Sequence, residues 1–367
     1  MDYRILHLIQ TSGPGGAENL FLNLIQRTRR KYKTTAGLIK KGWLYQQLEQ
    51  RGIDVKVLPS GGSFDLKLIK NIATFIRKEQ INIIQSHLFD MNFYSSIAAR
   101  IARIPHICTE HGDIHHIAKK ADINTKIKAI TILNLTKELI FVSQFTRDQF
   151  LRIARGPTEK TKVIYNGIAL EEYESQIDIY SIKSELGLKT NQLIVGNVAN
   201  LYPVKGHRYF LQAAKEVLQQ IPHTRFLVIG KGPLENELKN EALKIGIFDY
   251  VKFLGFRDDV RDLLKIMDVF VLPSLSEGLP LSLIEAMASK VPIVASNVGG
   301  ISEIVSQGKN GFLVSPGCSD ILASKIITLL RDKYMAKKLG MNGYRKVKSQ
   351  FSLQQMVNKY VELYSVH

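Results

Sequence analysis

The stretch VFVLPSLSEGLPLSLIEAMA, residues 269–288, decides the fold of the second half of this chain. Its first four residues are apolar, which predicts a buried strand at Val269–Leu272. A loop containing Glu277 follows, and Leu281–Met287 predicts an apolar helix that carries Glu285. A buried strand, a polar loop and an apolar helix in this order are typical of a parallel sheet covered by helices.

The same alternation of short strands and helices extends in both directions from this stretch. It predicts a linker at Gly167–Gly187 and six βα units on each side of it. The strands predicted before the linker are Arg4–Ile9, Asp54–Leu58, Ile81–Gln85, His106–Thr109, Leu139–Val142 and Lys162–Tyr165. Those predicted after it are Leu193–Val198, Thr224–Ile229, Val251–Phe253, Val269–Leu272, Pro292–Ala295 and Gly311–Val314. We therefore predict an α/β protein of two facing, doubly wound parallel-sheet domains, with a ligand cleft at the carboxyl ends of their strands.

The charge of the chain is unevenly distributed. Of its 367 residues, 50 are Lys or Arg and 33 are Asp or Glu, a net charge of +17. Residues 1–170 hold 26 basic and 13 acidic residues (26 − 13 = +13), whereas residues 171–367 hold 24 and 20 (24 − 20 = +4). This asymmetry indicates a polyanionic partner for the first half, either nucleic acid or an anionic membrane surface. Solvated lysines without a partner are the third possibility.

Cysteine content and hydropathy bear on localisation. Cys108 and Cys318 offer neither a disulfide framework nor zinc-ligand spacing, so a reducing compartment is expected. No run of 18 apolar residues is present, and the first ten residues are too polar for a secretory signal. A cytoplasmic protein that lies on a membrane without crossing it is therefore expected.

Two glycine-containing loops follow predicted strands and could bind phosphate. Gly15 and Gly16 stand between the first strand and a helix, where exposed amide groups attract anions. Lys205 precedes Gly206 in the loop after Leu193–Val198, where an ammonium can neutralise a diphosphate. A tight turn without ligand and a solvated loop lysine remain equally open from spacing alone.

The two glutamates of the 269–288 stretch indicate a ligand with hydroxyl groups. Glu277 and Glu285 flank the predicted helix start, so the amide groups of Leu279–Ser282 would lie between two carboxylates. Carboxylates accept paired hydrogen bonds from vicinal hydroxyls, and helix N-termini bind phosphates. Glutamates that only cap the helix are the alternative. The chain has no Asp-x-Asp motif in a plausible loop, so no metal site is predicted.

The order and spacing of several motifs resemble the family 4 glycosyltransferases, retaining enzymes of bacterial surface polysaccharide type with the GT-B fold. The resemblance covers nearly the whole chain. The motifs that carry it are Gly15-Gly16-Ala17-Glu18, Ser86-His87-Leu88-Phe89, Thr109-Glu110-His111-Gly112, Tyr165-Asn166-Gly167-Ile168, Lys205-Gly206, Gly230-Lys231-Gly232-Pro233, the Glu-x7-Glu pair Glu277 and Glu285, and Asn297-Val298-Gly299-Gly300.

The resemblance implies transfer of a sugar from a nucleotide diphosphate donor, a UDP- or GDP-sugar, to an acceptor hydroxyl, without cofactor or obligatory metal. It implies two Rossmann-like domains, an acceptor-binding domain 1–170 with 351–367 packed back on it and a nucleotide-sugar-binding domain 171–350. Glu277 and His111 would be catalytic residues that contact the donor sugar. The implied donor-binding residues are Gly15, Gly16, Asn200, Lys205, Gly255, Phe256, Gly278, Leu279, Pro280, Leu281 and Glu285.

By the same resemblance, Lys205 would bind the diphosphate, Glu285 the ribose and Gly255-Phe256 would border the base. Asn200 stands where the family usually has arginine, which removes one expected phosphate cation. His87 follows a predicted strand end as His111 does, and either a ligand contact or a supporting role is open for it. Because no base and nucleophile pair is apparent, we expect a front-face reaction in which the leaving phosphate takes the acceptor proton.

Simple criteria distinguish two alternative functions from that of a glycosyltransferase. A nucleotide-sugar epimerase of the same fold would convert the donor without an acceptor. A basic nucleic-acid-binding protein would need arginine and aromatic residues interleaved on one face, and only residues 27–32 hint at that. The basic stretch 119–128 favours anionic lipid instead. We therefore expect a glycan or lipid-linked acceptor at the inner face of the cell membrane, and no nucleic acid.

Overall fold

A computed structural model describes residues 3–61, 65–112, 123–156 and 158–366. The chain divides into two compact units, one of Met1–Asn166 with Gln354–His367 and one of Gly167–Leu353. Each unit holds one parallel sheet with helices on its faces, so the predicted α/β fold class is confirmed. The basic stretch 119–128 is described from Ile123 onward, and its residues 119–122 lie outside the described residues.

The described part of the first unit contains a seven-stranded sheet in the order β3-β2-β1-β4-β5-β6-β7. Its strands are β1 Arg4–Ile9, β2 Lys33–Leu38, β3 Asp54–Val57, β4 Ile83–His87, β5 His106–Glu110, β6 Glu138–Phe141 and β7 Thr161–Val163. Its helices, within the described residues, are α1 Gly16–Thr28, α2 Trp43–Gln50, α3 Leu66–Lys78, α4 Phe89–Ala102, α5 Ile123–Leu135 and α6 Gln144–Ala154.

The prediction of six βα units before the linker is wrong, because it omitted β2. The sequence of β2, KTTAGL, is apolar only in its second half, and burial follows the same division. Its first residue, the exposed Lys33, ends the basic run of residues 27–33. The strand forms because it pairs with β1 on one side and β3 on the other, which is a non-local cause.

The C-terminal helix belongs to the first unit, as the predicted fold class requires. It extends over Leu353–Val366. The Tyr360 hydroxyl lies 3.0 Å from Thr109 Oγ1 on β5, and the Tyr364 hydroxyl donates to Gln85 Oε1 on β4 over 3.3 Å. Gln85 Nε2 donates to Thr109 Oγ1 over 3.0 Å. These buried hydrogen bonds fasten the helix to the middle of the sheet.

The second unit contains, in the region that is described, a six-stranded parallel sheet in the order β10-β9-β8-β11-β12-β13. Its strands are β8 Leu193–Val198, β9 Thr224–Ile229, β10 Val251–Gly255, β11 Val269–Leu272, β12 Ile293–Ser296 and β13 Phe312–Val314. Its helices are α7 Ile179–Glu185, α8 His207–Gln220, α9 Glu235–Lys244, α10 Val260–Lys265, α11 Leu281–Ala288, α12 Ile301–Ile304, α13 Ser319–Arg331 and α14 Lys333–Gln350; the C-terminal helix of the first unit is α15. The six strands predicted here are confirmed.

The segment Gly167–Gly187 is more ordered than the predicted linker. It contains a 3₁₀ turn at Leu170–Tyr173 and the helix α7, whose N-cap Asp178 accepts hydrogen bonds from the backbone of Tyr180 and Ser181. Both elements were missed because the segment was assigned from its acidic composition. Composition alone does not distinguish carboxylates that stabilise a helix N-terminus from those of a linker.

The strand order of the second sheet reverses between β8 and β11, which are hydrogen-bonded neighbours. In sheets of this kind ligands bind at the carboxyl edge where the strand order reverses, and the loops that leave these two strands lie there. One loop carries Lys205 and the other carries Glu277.

Candidate functional site

An ion pair joins the two loops at this edge of the sheet. Lys205 Nζ donates a hydrogen bond to Glu277 Oε1 over 2.7 Å, and Ser274 Oγ donates to the same oxygen over 2.7 Å. The Glu277 side chain is 6% exposed and that of Lys205 is 25% exposed. The structure thus brings a predicted phosphate-binding cation and a predicted sugar-binding carboxylate into direct contact.

Close backbone approaches hold this pair in place. Gly206 has φ +68°, and a Cβ there would overlap the carbonyl oxygen of Pro273. Beside it, the amide of Leu275 donates to the carbonyl of Val204 over 2.7 Å, which ties the two loops together. Gly299 has φ +56°, and a Cβ there would overlap the carbonyl oxygen of Glu277. Glycine is required at both positions for the backbone angle and for the space.

The helix α11 begins at Leu281, four residues after Glu277. Its N-cap is Pro280, and no side-chain hydrogen bond caps it. Helix N-termini carry partial positive charge, so this end favours an anion. Gly278, Leu279 and Pro280 are buried in the loop before it.

Glu285 lies on α11 and interacts with residues that sequence reasoning missed. Burial raises its pKa, whereas a hydrogen bond from the Tyr173 hydroxyl and the charge of Arg261 oppose that rise. Burial also raises the pKa of Tyr173, so this hydroxyl stays protonated and donates. Arg261 in turn pairs with Glu172 over 2.7 Å. The only sequence signal for Tyr173 is an aromatic residue within the acidic 171–174 cluster.

The remaining predicted residues of the second unit lie along the same carboxyl edge. Gly255, with φ +66°, ends β10 and accepts a hydrogen bond from the Gly230 amide over 2.8 Å. Phe256 follows it with 36% of its surface exposed, which suits stacking on a base. Asn200 is exposed in the loop after β8, and the exposed Lys231 lies in the loop after β9.

In the first unit the predicted residues form a second group. Gly15 is the N-cap of α1 and Gly16 its first residue, with the Glu18 carboxylate packed against Gly15. His87 is the last residue of β4 and His111 follows β5 directly. His87 Nδ1 and His111 Nε2 lie 2.9 Å apart. Burial lowers the pKa of His111 to about 4, so its ring is neutral at pH 7.

A buried carboxyl group directly precedes His111 in the chain. Glu110 is 2% exposed at the end of β5, and Asn92 Nδ2 donates to its Oε1 over 2.8 Å. Burial raises the pKa of Glu110 to about 8, with a smaller contribution of the same sign from Asp90. Glu110 is therefore largely protonated at neutral pH.

Comparison with known proteins places this arrangement in a class. Residues 14–172 match the family model described as Glycosyltransferase Family 4, and residues 178–346 match that described as Glycosyl transferases group 1. The structure is similar to that of HepE from Anabaena in complex with UDP-glucose, with 27% identity and a TM-score of 0.89 over 99% of this chain and 100% of that chain. Fold and matches define a glycosyltransferase with the GT-B fold.

Curated relatives extend the similarity. The UDP-Gal:alpha-D-GlcNAc-diphosphoundecaprenol alpha-1,3-galactosyltransferase of Escherichia coli is 30% identical over 82% of this chain and 79% of its own length. The N-acetyl-alpha-D-glucosaminyl L-malate synthase of Bacillus anthracis is 26% identical over 88% of this chain and 91% of its own length. The chain belongs to glycosyltransferase family 4.

Among the described residues, no helix has the length and hydropathy needed to span a membrane.

Proposed function

We propose that this enzyme is a retaining, metal-independent transferase that moves a hexose-type sugar from a UDP-sugar to a hydroxyl of a lipid-linked glycan. The observation that carries the proposal is the Lys205–Glu277 pair, which lies where the strand order of the second sheet reverses between β8 and β11. An ammonium beside a buried carboxylate offers one group for a diphosphate and one for sugar hydroxyls, at the start of a helix whose amides favour an anion.

The donor-binding roles follow from the surroundings of each side chain. Lys205, a quarter exposed, binds the diphosphate, and Glu277 accepts hydrogen bonds from the donor sugar. Glu285 receives the ribose hydroxyls, because its partly buried carboxylate is oriented by the Tyr173 hydroxyl. Phe256 borders the base. Asn200 supplies no charge, so the leaving diphosphate relies on Lys205 and on the helix dipole of α11.

UDP is the favoured nucleotide. Its support is that HepE has been crystallised with UDP-glucose and that the Escherichia coli relative is named for a UDP-galactose donor. GDP is the alternative nucleotide, and the panel of donor sugars used to test the proposal includes GDP-sugars.

The reaction we propose proceeds on one face of the sugar. The bond from the anomeric carbon to the leaving phosphate oxygen breaks, the bond to the acceptor oxygen forms on the same side, and the acceptor proton passes to the departing phosphate oxygen. Glu277 and His111 contact the sugar and orient it, and Gly15 and Gly16 contribute backbone amides. None of these residues forms a covalent bond with the sugar.

The acceptor side of the proposal is supported by the surface of the first unit. Helix α5 exposes three isoleucines at i, i+4 and i+7, Ile123 (71%), Ile127 (52%) and Ile130 (43%), with the exposed Lys126 among them. An apolar stripe with basic neighbours is typical of a helix lying on anionic lipid. Together with the +13 charge of residues 1–170, it favours a peripheral position at the inner membrane face, where a diphosphate-linked lipid acceptor is presented.

A donor panel tests the enzymatic proposal. Purified protein is incubated with UDP- and GDP-sugars, with and without a synthetic GlcNAc-diphospholipid, and product anomers are assigned by NMR. We expect acceptor-dependent transfer from one UDP-sugar with retained configuration. Conversion of the donor without acceptor would instead establish an epimerase, and a covalent sugar trapped on any carboxylate would refute the one-face reaction.

Vesicle binding tests the membrane proposal separately. The protein should sediment with vesicles containing phosphatidylglycerol and not with pure phosphatidylcholine. Ile127→Ser should weaken this binding about tenfold, since burying an isoleucine contributes about 1.5–3 kcal/mol. Leu243→Ser, which changes a residue 57% exposed on α9 of the second unit, is the matched control. Equal binding of both variants and wild type would refute the assignment of α5.

A further inference from the structure

The two histidines of the first unit come from neighbouring strands and face each other. His87 lies opposite Thr109 in the β4–β5 ladder, so it lies close to the residues that follow β5. The ring centroids of His87 and His111 are 5.2 Å apart with an interplanar angle of 31°. The Nδ1 to Nε2 distance of 2.9 Å is that of a hydrogen bond, in which one ring must donate and the other accept.

The surroundings of the two rings are unequal. His87 is fully buried, and the ring of Phe21 meets it edge to face with centroids 5.3 Å apart. Within the described parts of the chain, His87 Nε2 has no hydrogen-bond partner. His111 is only partly buried, and within the described residues its Nδ1 has no hydrogen-bond partner.

Both rings are neutral at pH 7. Burial lowers the pKa of His87 well below its usual value, and the charge of His111 lowers it further. Burial likewise lowers the pKa of His111 to about 4. Each neutral imidazole carries one N–H, so the bond between them has only two arrangements.

The first arrangement has His87 Nδ1–H donating to His111 Nε2, which leaves His111 with its own proton on Nδ1. In the second, His111 Nε2–H donates to His87 Nδ1, and the remaining proton of His87 is on the buried Nε2. That N–H would have no acceptor, and an unpaired buried donor costs about 1–3 kcal/mol. Folded proteins leave buried acceptors unpaired more readily than buried N–H groups, which favours the first arrangement.

We propose that His87 is a positioning residue that holds His111 as the Nδ1–H tautomer, so that His111 presents a hydrogen-bond donor to an oxygen of the substrate. The part about substrate rests on the proposed function, in which His111 contacts the donor sugar. The enzyme should therefore prefer a donor sugar that has an oxygen able to accept a hydrogen bond from His111 Nδ1–H. A deoxy analogue of the sugar that lacks this oxygen should bind the enzyme more weakly.

Histidine NMR of the free enzyme tests the tautomer. With ¹⁵N-labelled histidine, we expect a protonated Nδ1 and an unprotonated Nε2 for both rings, assigned from the spectra of His87→Phe and His111→Asn variants. A protonated Nε2 on either ring of the wild-type enzyme would overturn the proposal. Because this measurement needs no substrate, it holds whether or not the wild-type enzyme proves to be a glycosyltransferase.

Kinetics test the positioning role. In His87→Asn the amide Nδ2 can take the place of Nδ1 as donor, so we expect kcat within about threefold of wild type. His87→Phe removes the donor and should lower kcat about tenfold or more with little change in melting temperature. His7→Phe is the matched control, because His7 is equally buried on β1 and both its ring nitrogens lack partners among the described residues.

Equal kcat for His87→Phe and His7→Phe would overturn the positioning role. If His87→Phe does not fold, the wild-type spectrum and the His87→Asn kinetics still decide the proposal. Absence of turnover by the wild-type enzyme would refute the proposed function and leave the NMR result unaffected.

Discussion

Breaking the Lys205–Glu277 pair from either side should change UDP binding in opposite directions. If Lys205 binds the diphosphate, Lys205→Met removes a charge-assisted hydrogen bond from bound UDP. If Glu277 binds only the sugar, Glu277→Gln leaves UDP contacts intact and removes a negative charge next to the diphosphate. A pair that serves only to hold two loops together would give no such difference in sign.

The magnitudes follow from the geometry. Lys205 Nζ is 2.7 Å from Glu277 Oε1, so a phosphate oxygen bonded to the same ammonium would lie roughly 5 Å from the carboxylate. Two unit charges at that separation repel by roughly 3 kcal/mol at an effective dielectric constant of 20. The partly exposed lysine admits solvent and reduces this to about 1 kcal/mol, so Glu277→Gln should bind UDP about fivefold more tightly. Loss of the lysine should weaken UDP binding by about 1.5–3 kcal/mol, roughly 10- to 100-fold.

Isothermal titration calorimetry with UDP measures both effects, and turnover with the UDP-sugar shows the cost of losing Glu277. Lys162→Met is the control, because Lys162 forms a comparable ion pair with Glu138 over 2.9 Å in the first unit and is not among the residues proposed to bind the donor. Melting temperatures establish that all variants are folded. Weaker UDP binding by Glu277→Gln, or unchanged binding by Lys205→Met, would refute the assignment of roles.

Three further outcomes are expected. Gly299→Ala should lower the free energy of unfolding by more than about 1 kcal/mol in urea titration and reduce turnover, because its Cβ overlaps the Glu277 carbonyl; wild-type values for both would contradict this. Glu110, with its pKa raised to about 8, contributes stability that is complete below pH 4.5 and is lost as pH rises through about 8. The free energy of unfolding of the protein should therefore fall by up to about 1.4 kcal/mol for each unit that the pH rises in this window, and Glu110→Gln should remove that slope. An unchanged slope would show that another group causes the pH dependence. Tyr360→Phe should cost about 1 kcal/mol through the lost bond to Thr109, and no change in unfolding free energy would show that packing alone holds α15.

The sequence-based prediction of the strands was most accurate where the signal was local and strong. Strands β1, β8, β9 and β11 were predicted to the residue, because apolar β-branched runs bounded by turns depend only on neighbouring positions. It failed at β2, whose polar first half is stabilised by pairing with strands on both sides. It also failed at α7, because the acidic residues before it, the 171–174 cluster and the N-cap Asp178, resembled a linker.

The candidate site shows the same division. The spacing of Glu277 and Glu285 predicted that they flank the start of α11, because Glu277 lies in the loop before the helix and Glu285 lies within it. The hydrogen bond from Tyr173 to Glu285 could not be predicted from the sequence, since the two residues belong to separate elements and meet through packing of the turn at Leu170–Tyr173.

By itself, the sequence determined the α/β class, the parallel sheets, and which chemical groups follow which strands. Periodicity, glycine placement and helix signals are encoded within a few residues of each element, so they can be read without the rest of the chain. Only the tertiary structure decided that Lys205 and Glu277, 72 positions apart, share a hydrogen bond, and that His87 and His111 share another. The reason is that these contacts depend on strand order and on loop crossings at the sheet edge, which arise from non-local packing.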